Sequence, residues 1–285
     1  MNEIYGAVIG DIAGSIYEVI EVEQYKKALK IPKKQRMLIM NSSTSIFNKN
    51  CEITDDTILT CAIANAILTG EEYSKSLKTF GLNEIDLGVD KYGRSRFGGN
   101  FVKWCQGEEI NSYGNGCAMR VSAIGLAFDS LEKTLIEAEK STVCSHNFPE
   151  CIKLTKAVAG AIYLARNKKS RKEIKKFCEN EIGHEIKFNL NYLRENYIFT
   201  SKAEFSIPQA LFCFFVSNSF EDCLRKSISI GGDSDTICAI ACSIAAAYYG
   251  IPENILNEAK RFIPKKYLDI LEKFNKCYGL KYQKI

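Results

Sequence analysis

The sequence predicts an all-α fold, built as a single compact multi-helix domain over residues 1–285. Three observations carry that reading. Apolar residues recur at helical spacing along most of the chain. No convincing set of alternating strands occurs, and only residues 197–205 are ambiguous. No Pro-, Gly- or Ser-rich linker divides the chain. At 46% hydrophobic residues, a chain of this length buries a sizeable core without covalent staples.

The predicted helices span residues 4–18, 55–68, 118–128, 131–143, 149–166, 171–181, 208–216, 220–230, 235–249, 252–262 and 265–278. Pro149, Pro208 and Pro252 stand where a first helical turn tolerates proline. Gly70 and Gly250 follow apolar runs that want a left-handed cap. In the first helix, Gly6, Gly10 and Gly14 recur every four residues and so share one face. Each glycine costs up to about 1 kcal/mol inside a helix, so that face is expected to pack closely against a neighbour. Asp11 and Glu18 are seven residues apart, roughly on one face. Segments 32–53 and 81–117, rich in Gly, Asn, Ser and Arg, read as long loops of the kind that carry function.

Composition excludes several classes. Charged residues at 25% are too few and too balanced for a disordered chain. A net charge of +4 is no mark of a dedicated nucleic-acid binder. The 12 cysteines contain no C-x-x-C pair, and Cys61, Cys213, Cys238 and Cys242 sit inside apolar helical runs. They read as reduced core residues of a cytoplasmic protein. With only two histidines, His146 and His184, zinc is disfavoured. The longest apolar stretch, residues 237–249, is too short to cross a bilayer, and no secretory leader is evident. No heptad seam or spare apolar stripe remains, which points to a monomer without a membrane partner. The basic run 166–176 reads as a solvated helix start.

The strongest local signal is Thr54-Asp55-Asp56-Thr57 before an apolar helix. A near copy, Gly231-Gly232-Asp233-Ser234-Asp235-Thr236, precedes another. Each places two carboxylates at a helix amino terminus. One reading is capping, since Thr and Asp satisfy free amide hydrogens and the helix dipole favours negative charge. The other is a pair of divalent cations. Both helices are apolar nearly all round and should be buried, and neither segment contains a Lys or Arg. Burying an uncompensated carboxylate costs several kcal/mol, whereas a helix terminus returns about 0.3–1 kcal/mol. All-oxygen donors suit Mg²⁺ or Mn²⁺, and also Ca²⁺. Spacing alone leaves Glu18 open between a ligand-facing acid and a surface residue beside Glu21 and Glu23.

Five blocks, ordered along the chain, resemble the ADP-ribosylglycohydrolase family, which includes the dinitrogenase reductase-activating glycohydrolases. They are Gly10-Asp11-Ile-Ala-Gly-Ser-Ile-Tyr-Glu18, Thr54-Asp-Asp-Thr57, Ser112-Tyr-Gly-Asn-Gly-Cys-Ala-Met-Arg120, Ser145-His-Asn-Phe-Pro-Glu150 and Gly231-Gly-Asp-Ser-Asp-Thr236. The resemblance implies an all-α domain with a dinuclear Mg²⁺ or Mn²⁺ site in a central cleft. Thr54, Asp55, Asp56, Asp233, Asp235 and Thr236 would be its metal residues. Glu18 matches the family's mobile acid, and Asp55, Asp56 or Glu18 would take the proton of the attacking water. The loop Asn111, Ser112, Tyr113, Gly114, Asn115, Gly116 and Met119 would hold a diphosphate and the proximal ribose. His146 would contact the substrate near the distal ribose.

Gly114 and Gly116 let backbone amides approach a phosphate closely. Arg120 either adds charge to that loop or braces it through a buried ion pair, and His184 matches no block. Cys117 and Ser234 stand where the family often has Ala and Thr. Arg94 and Arg96 match no clear position in it, so they meet phosphate or face solvent. The expected reaction is hydrolysis of the glycosidic bond between ADP-ribose and an acceptor: a protein side chain, a nucleic-acid base or a small molecule. A catalytically inactive ADP-ribose binder or structural relative is the alternative. A metal-dependent phosphatase or nucleotide hydrolase would use similar carboxylates.

Overall fold

In the computed structural model, the residues described are 2–18, 20–22, 27–29, 33–87 and 95–279. Arg94, Glu23 and the segment 88–94 lie outside them. The described chain is helical apart from one short hairpin and an isolated bridge. In order, the elements are α1 (Tyr5–Gly14), β1 (Ile20–Val22), β2 (Lys27–Leu29), α2 (Lys33–Leu38), α3 (Asp55–Thr69), α4 (Tyr73–Ile85), α5 (Gly99–Cys105), α6 (Gly116–Met119) and α7 (Ser122–Ala127). There follow α8 (Leu131–Val143), α9 (Pro149–Arg166), α10 (Arg171–Ile182), α11 (Leu190–Asn196), α12 (Ala203–Phe215), α13 (Phe220–Ile230), α14 (Ser234–Tyr249), α15 (Glu253–Ala259), a 3₁₀ turn (Lys260–Phe262) and α16 (Lys265–Tyr278). The strands pair antiparallel, with Ile20 opposite Leu29 and Val22 opposite Lys27.

α14 is the axis of the domain. Every residue from Ser234 to Ala247 is buried, because α1, α9, α12 and α13 surround it. α1 is buried along its whole length and lies directly on α14. The glycine repeat makes this approach possible. A Cβ added at Gly14 would stand 2.5 Å from the Ser234 carbonyl and 2.6 Å from the Asp235 Cα, and Gly6 and Gly10 meet the Cys242 and Cys238 carbonyls in the same way. The expected close-packing face therefore exists, and its partner is the backbone of α14 at matching four-residue steps. This contact brings Asp11 and Glu18 beside the amino end of α14.

Several predicted boundaries hold: α8, α9, α13 and α16 begin and end as expected. Others do not. The predicted helix over 118–128 is broken into α6 and α7 at Arg120, which leaves helical geometry (φ −93°, ψ 0°) and turns a fully buried guanidinium inward. Pro208 lies inside α12 rather than at its start, and removes only the bond to the carbonyl of Glu204, an exposed residue. The segment 32–53 contains α2, while 81–117 begins inside α4 and contains α5. Residues 197–205 run extended as far as Lys202, which bridges Gly114 antiparallel, and then enter α12.

Ten of the 12 cysteines are buried and all are unpaired, so they serve as core side chains. No helix among the described residues is long and apolar enough to cross a membrane.

Candidate functional site

The site is built where α1, α3 and α14 converge. Thr54 caps α3 from extended backbone (φ −113°, ψ −166°), its hydroxyl accepting from the Asp56 N–H at 3.3 Å. At α14 the chain turns through Gly231 (φ 73°) and Gly232 (φ 78°), conformations that strain any L side chain. That turn delivers Asp233 as the cap and Asp235 in the first turn.

Asp11 projects from α1 into the start of α3. It accepts from the Thr54 N–H (3.0 Å), the Thr54 hydroxyl (2.7 Å), the Thr57 N–H (3.0 Å) and the Thr57 hydroxyl. Asp11 thus supplies much of the capping that the sequence suggested for Thr54 and Asp55. Asp56 accepts from the Thr236 hydroxyl at 3.0 Å, which ties α3 to α14. Its other carboxylate oxygen, Oδ1, is buried with no partner among the described residues. Asp233 accepts from the Asn115 amide at 2.7 Å, linking the helix start to the loop before α6.

Two acid triads result. Carboxylate oxygens of Asp11, Asp56 and Asp235 lie within 4.8 Å of one another, as do those of Glu18, Asp233 and Asp235. Asp235 belongs to both. Packing these acids together is electrostatically costly. Burial, and then the charge of Asp235, push the Asp11 carboxyl up to about 7 despite its hydrogen bonds. Burial with Asp235 and Asp11 pushes Asp55 up to about 8. Asp56 is raised well above the carboxylate range by burial and by the charges of Asp235, Asp11, Asp55 and Asp233. Asp233 is raised by burial, Asp235 and Glu18.

An unpartnered carboxylate oxygen, two acid triads sharing one member and a donor set made only of oxygen fit a pair of hard divalent cations. Paired caps alone would leave this repulsion to be relieved by protonation of the raised carboxyls.

Beside the acids opens a cleft of about 660 Å³. That volume suits a ligand of cofactor size. Glu18, Thr54, Asp55, Asp233, Asp235 and Thr236 line it together with Ser112, Gly114, Asn115, Gly116, Met119 and His146. Asp56 lies beneath this lining. Asn111 and Tyr113 stand outside it. Asn111 Oδ1 accepts from the Asn147 N–H at 3.2 Å, and the exposed Tyr113 ring stacks on Phe148 with centroids 3.5 Å apart.

The loop from Ser112 to Asn115 is held on both sides. The Ser112 N–H donates to the Ser145 carbonyl (2.9 Å), the Asn115 N–H to the Ser201 carbonyl (2.7 Å), and the Ala203 N–H to the Tyr113 carbonyl (2.9 Å). Among the described residues Arg120 has no carboxylate partner, and it braces this region through neutral acceptors. Its Nη2 donates to the Ser141 carbonyl (3.2 Å) and the Ser145 hydroxyl (2.8 Å). Arg96 lines the cleft with its Nε 3.9 Å from Glu84. His184 is exposed.

Sequence reasoning missed Asp11 as a member of the acid cluster. Its seven-residue offset from Glu18 and its place on the glycine-rich helix were the available signals. It also missed Asn115 as the link to Asp233.

A family model described as ADP-ribosylglycohydrolase matches residues 3–281. Human ADP-ribosylhydrolase ARH3 is 26% identical over 321 residues, covering 87% of this chain and 84% of that protein. The ADP-ribosyl-[dinitrogen reductase] glycohydrolase of Rhodospirillum rubrum is 25% identical over 276 residues, covering 89% and 86%. A solved structure titled ADP-ribosylglycohydrolase-related protein complex superposes with a TM-score of 0.68 at 19% identity, covering 98% of this chain and 97% of that one, which shows a shared fold.

Proposed function

Because the chain belongs to the ADP-ribosylglycohydrolase family, and so is a hydrolase of ADP-ribosyl linkages, we propose that its cleft frees ADP-ribose from a modified protein side chain with the help of two Mg²⁺ or Mn²⁺ ions. The observation that carries this reading is Asp235, the acid shared by the two triads. Asp11 and Asp56 complete one triad, and Glu18 and Asp233 the other. Thr54, Asp55 and Thr236 flank them with further oxygens. Bound there, divalent cations would supply Lewis acidity that fixes vicinal sugar hydroxyls and lowers the pKa of a water.

The chain's own groups do the rest. The backbone amide of Gly116 and the second hydrogen of the Asn115 side-chain amide, whose first is held by Asp233, meet the diphosphate and proximal ribose, and His146 contacts the sugar side of the ligand. Cleavage between the ribose C1″ and the acceptor develops oxocarbenium character, so carboxylates facing the sugar stabilise it. Glu18 is the proton acceptor we favour for the attacking water, because it lines the cleft and is the one acid of the two triads that is not buried. Asp55, which also lines the cleft, is the second candidate, ahead of the deeper Asp56. For the acceptor, the reading draws on the bacterial relative, whose name gives dinitrogen reductase as its target.

The test is a panel of arginine-linked, serine-linked and base-linked ADP-ribosyl substrates. Release of intact ADP-ribose from one protein-linked member, abolished by chelator, is the expected result. Release of AMP or phosphate instead, or tight binding of ADP-ribose with no turnover on any member, overturns the proposal.

A further inference from the structure

Arg120 is a costly residue for a mere brace. It is fully buried, and its Nε and Nη1 find no partner among the described residues. An apolar side chain would fill the same space without stranding donors. What Arg120 does reach is Ser145, and Ser145 reaches His146. We propose that Arg120 and Ser145 are positioning residues that hold His146 as a neutral ring protonated on Nε2 alone, so that it meets the ligand as a hydrogen-bond donor and never as a proton acceptor. The role for the ligand rests on the proposed reading of the cleft; the state of the ring does not.

A guanidinium only donates, so in the 2.8 Å contact between Arg120 Nη2 and Ser145 Oγ the serine accepts. Ser145 is buried, and its single hydroxyl hydrogen needs an acceptor of its own. His146 Nδ1 stands 2.8 Å away. Among the described residues, the other hydrogen-bond partner of the hydroxyl besides Arg120 is the Sγ of Cys144, at 4.0 Å, a weak acceptor whose thiol already donates to the Ser141 carbonyl at 3.2 Å. If Nδ1 carried the proton, Ser145 would face two donors and its own hydrogen would be stranded. The hydroxyl therefore donates to a bare Nδ1, and a neutral ring must carry its proton on Nε2.

The second nitrogen points where a donor is useful. A Cβ built on Gly116 would lie 3.5 Å from Nε2, and one on Gly114 would lie 3.8 Å from it. Nε2 thus sits against the two glycines of the loop that lines the cleft, so an oxygen entering beside that loop meets N–H. Burial and then the Arg120 charge push the ring well below its usual titration range, which keeps the doubly protonated form out of reach at neutral pH. One chain of groups fixes both the tautomer and the charge state of the ring.

The experiment is nitrogen NMR on the full chain labelled with ¹⁵N-histidine. The two histidines are separated by the His184→Gln variant, which touches nothing in the cleft. The expected spectrum shows a bare Nδ1 and a protonated Nε2, unchanged between about pH 5.5 and about pH 8. A protonated Nδ1, or a ring that gains a second proton in that window, overturns the proposal on the wild-type chain alone. Ser145→Ala is expected to mix the tautomers and weaken ADP-ribose binding about tenfold, and Ser145→Thr to restore both. An unchanged nitrogen pattern in a folded Ser145→Ala also overturns it. If the wild-type pattern is as expected but ADP-ribose does not bind, the reading of the cleft fails and the assignment of the ring stands.

Discussion

Asp235 lies in both acid triads, so it separates a capping role from an ion-binding one. If the acids merely stabilised the start of α14, Asp235→Asn would forfeit a favourable charge–dipole interaction in the first turn and cost about 0.3–1 kcal/mol. If they form a cation site, the amide relieves repulsion on Asp11, Asp55 and Asp56, each raised by the Asp235 charge. We expect the metal-free Asp235→Asn chain to melt no lower than metal-free wild type, while its Mn²⁺ affinity falls at least about 100-fold. Calorimetry on chelator-stripped protein measures both.

A second residue tests electrostatics away from the site. Glu84 is buried, yet its carboxyl is held below the usual range. Burial raises it, but hydrogen bonds from Lys266 and from the Tyr267 hydroxyl (2.6 Å) and the Arg96 charge outweigh that. A depressed carboxyl pKa stabilises the fold above the unfolded value and loses that contribution as pH falls through the folded value. Glu84→Gln should therefore be less stable by about 1–3 kcal/mol at pH 7. The gap should close in acid, below the normal carboxylate range. Urea midpoints across pH read it, and a gap that persists in acid would contradict the account.

Among the elements, the α1–α14 contact carries the site. A Cβ at Gly10 would meet the Cys238 carbonyl carbon and the Ala239 nitrogen, backbone atoms that cannot yield. Gly10→Ala should cost about 3 kcal/mol and separate Asp11 from Asp235. Gly99→Ala, in α5 with open space around it, should be neutral or slightly stabilising. Chemical denaturation of the two variants measures the difference.

This contact was half legible in the sequence: the four-residue glycine repeat announced a close neighbour but could not name it. Helices with clear amphipathic period, such as α8 and α9, could be read to the residue. α4 was lost because Gly81 interrupts its pattern, a glycine that admits Phe101 and Cys105 instead of breaking the helix. α5 and α11, seven residues each, are too short for a period to show. The acid pairs Asp55–Asp56 and Asp233–Asp235 were legible, because burial and missing counter-charges can be inferred locally. Asp11 was not, since its capping of α3 across 43 residues is a tertiary fact.

At the scale of the whole molecule, divalent cations bound as proposed would make the fold and those ions interdependent through the buried acids. Stripping divalent cations should lower stability, and Mn²⁺ at about 100 times its dissociation constant should return about 2.7 kcal/mol by mass action. Thermal melts with and without chelator would show it. The central claim is that two acidic helix starts, 55–56 and 233–235, form one ion-dependent hydrolytic centre. Reconstitution tests it most directly: chelator-stripped enzyme is titrated with Mn²⁺ while bound metal and ADP-ribose release are followed together. The account predicts two ions per chain, activity rising with their binding, and neither in Asp235→Asn. Full turnover by the stripped enzyme, or by Asp235→Asn, would contradict it.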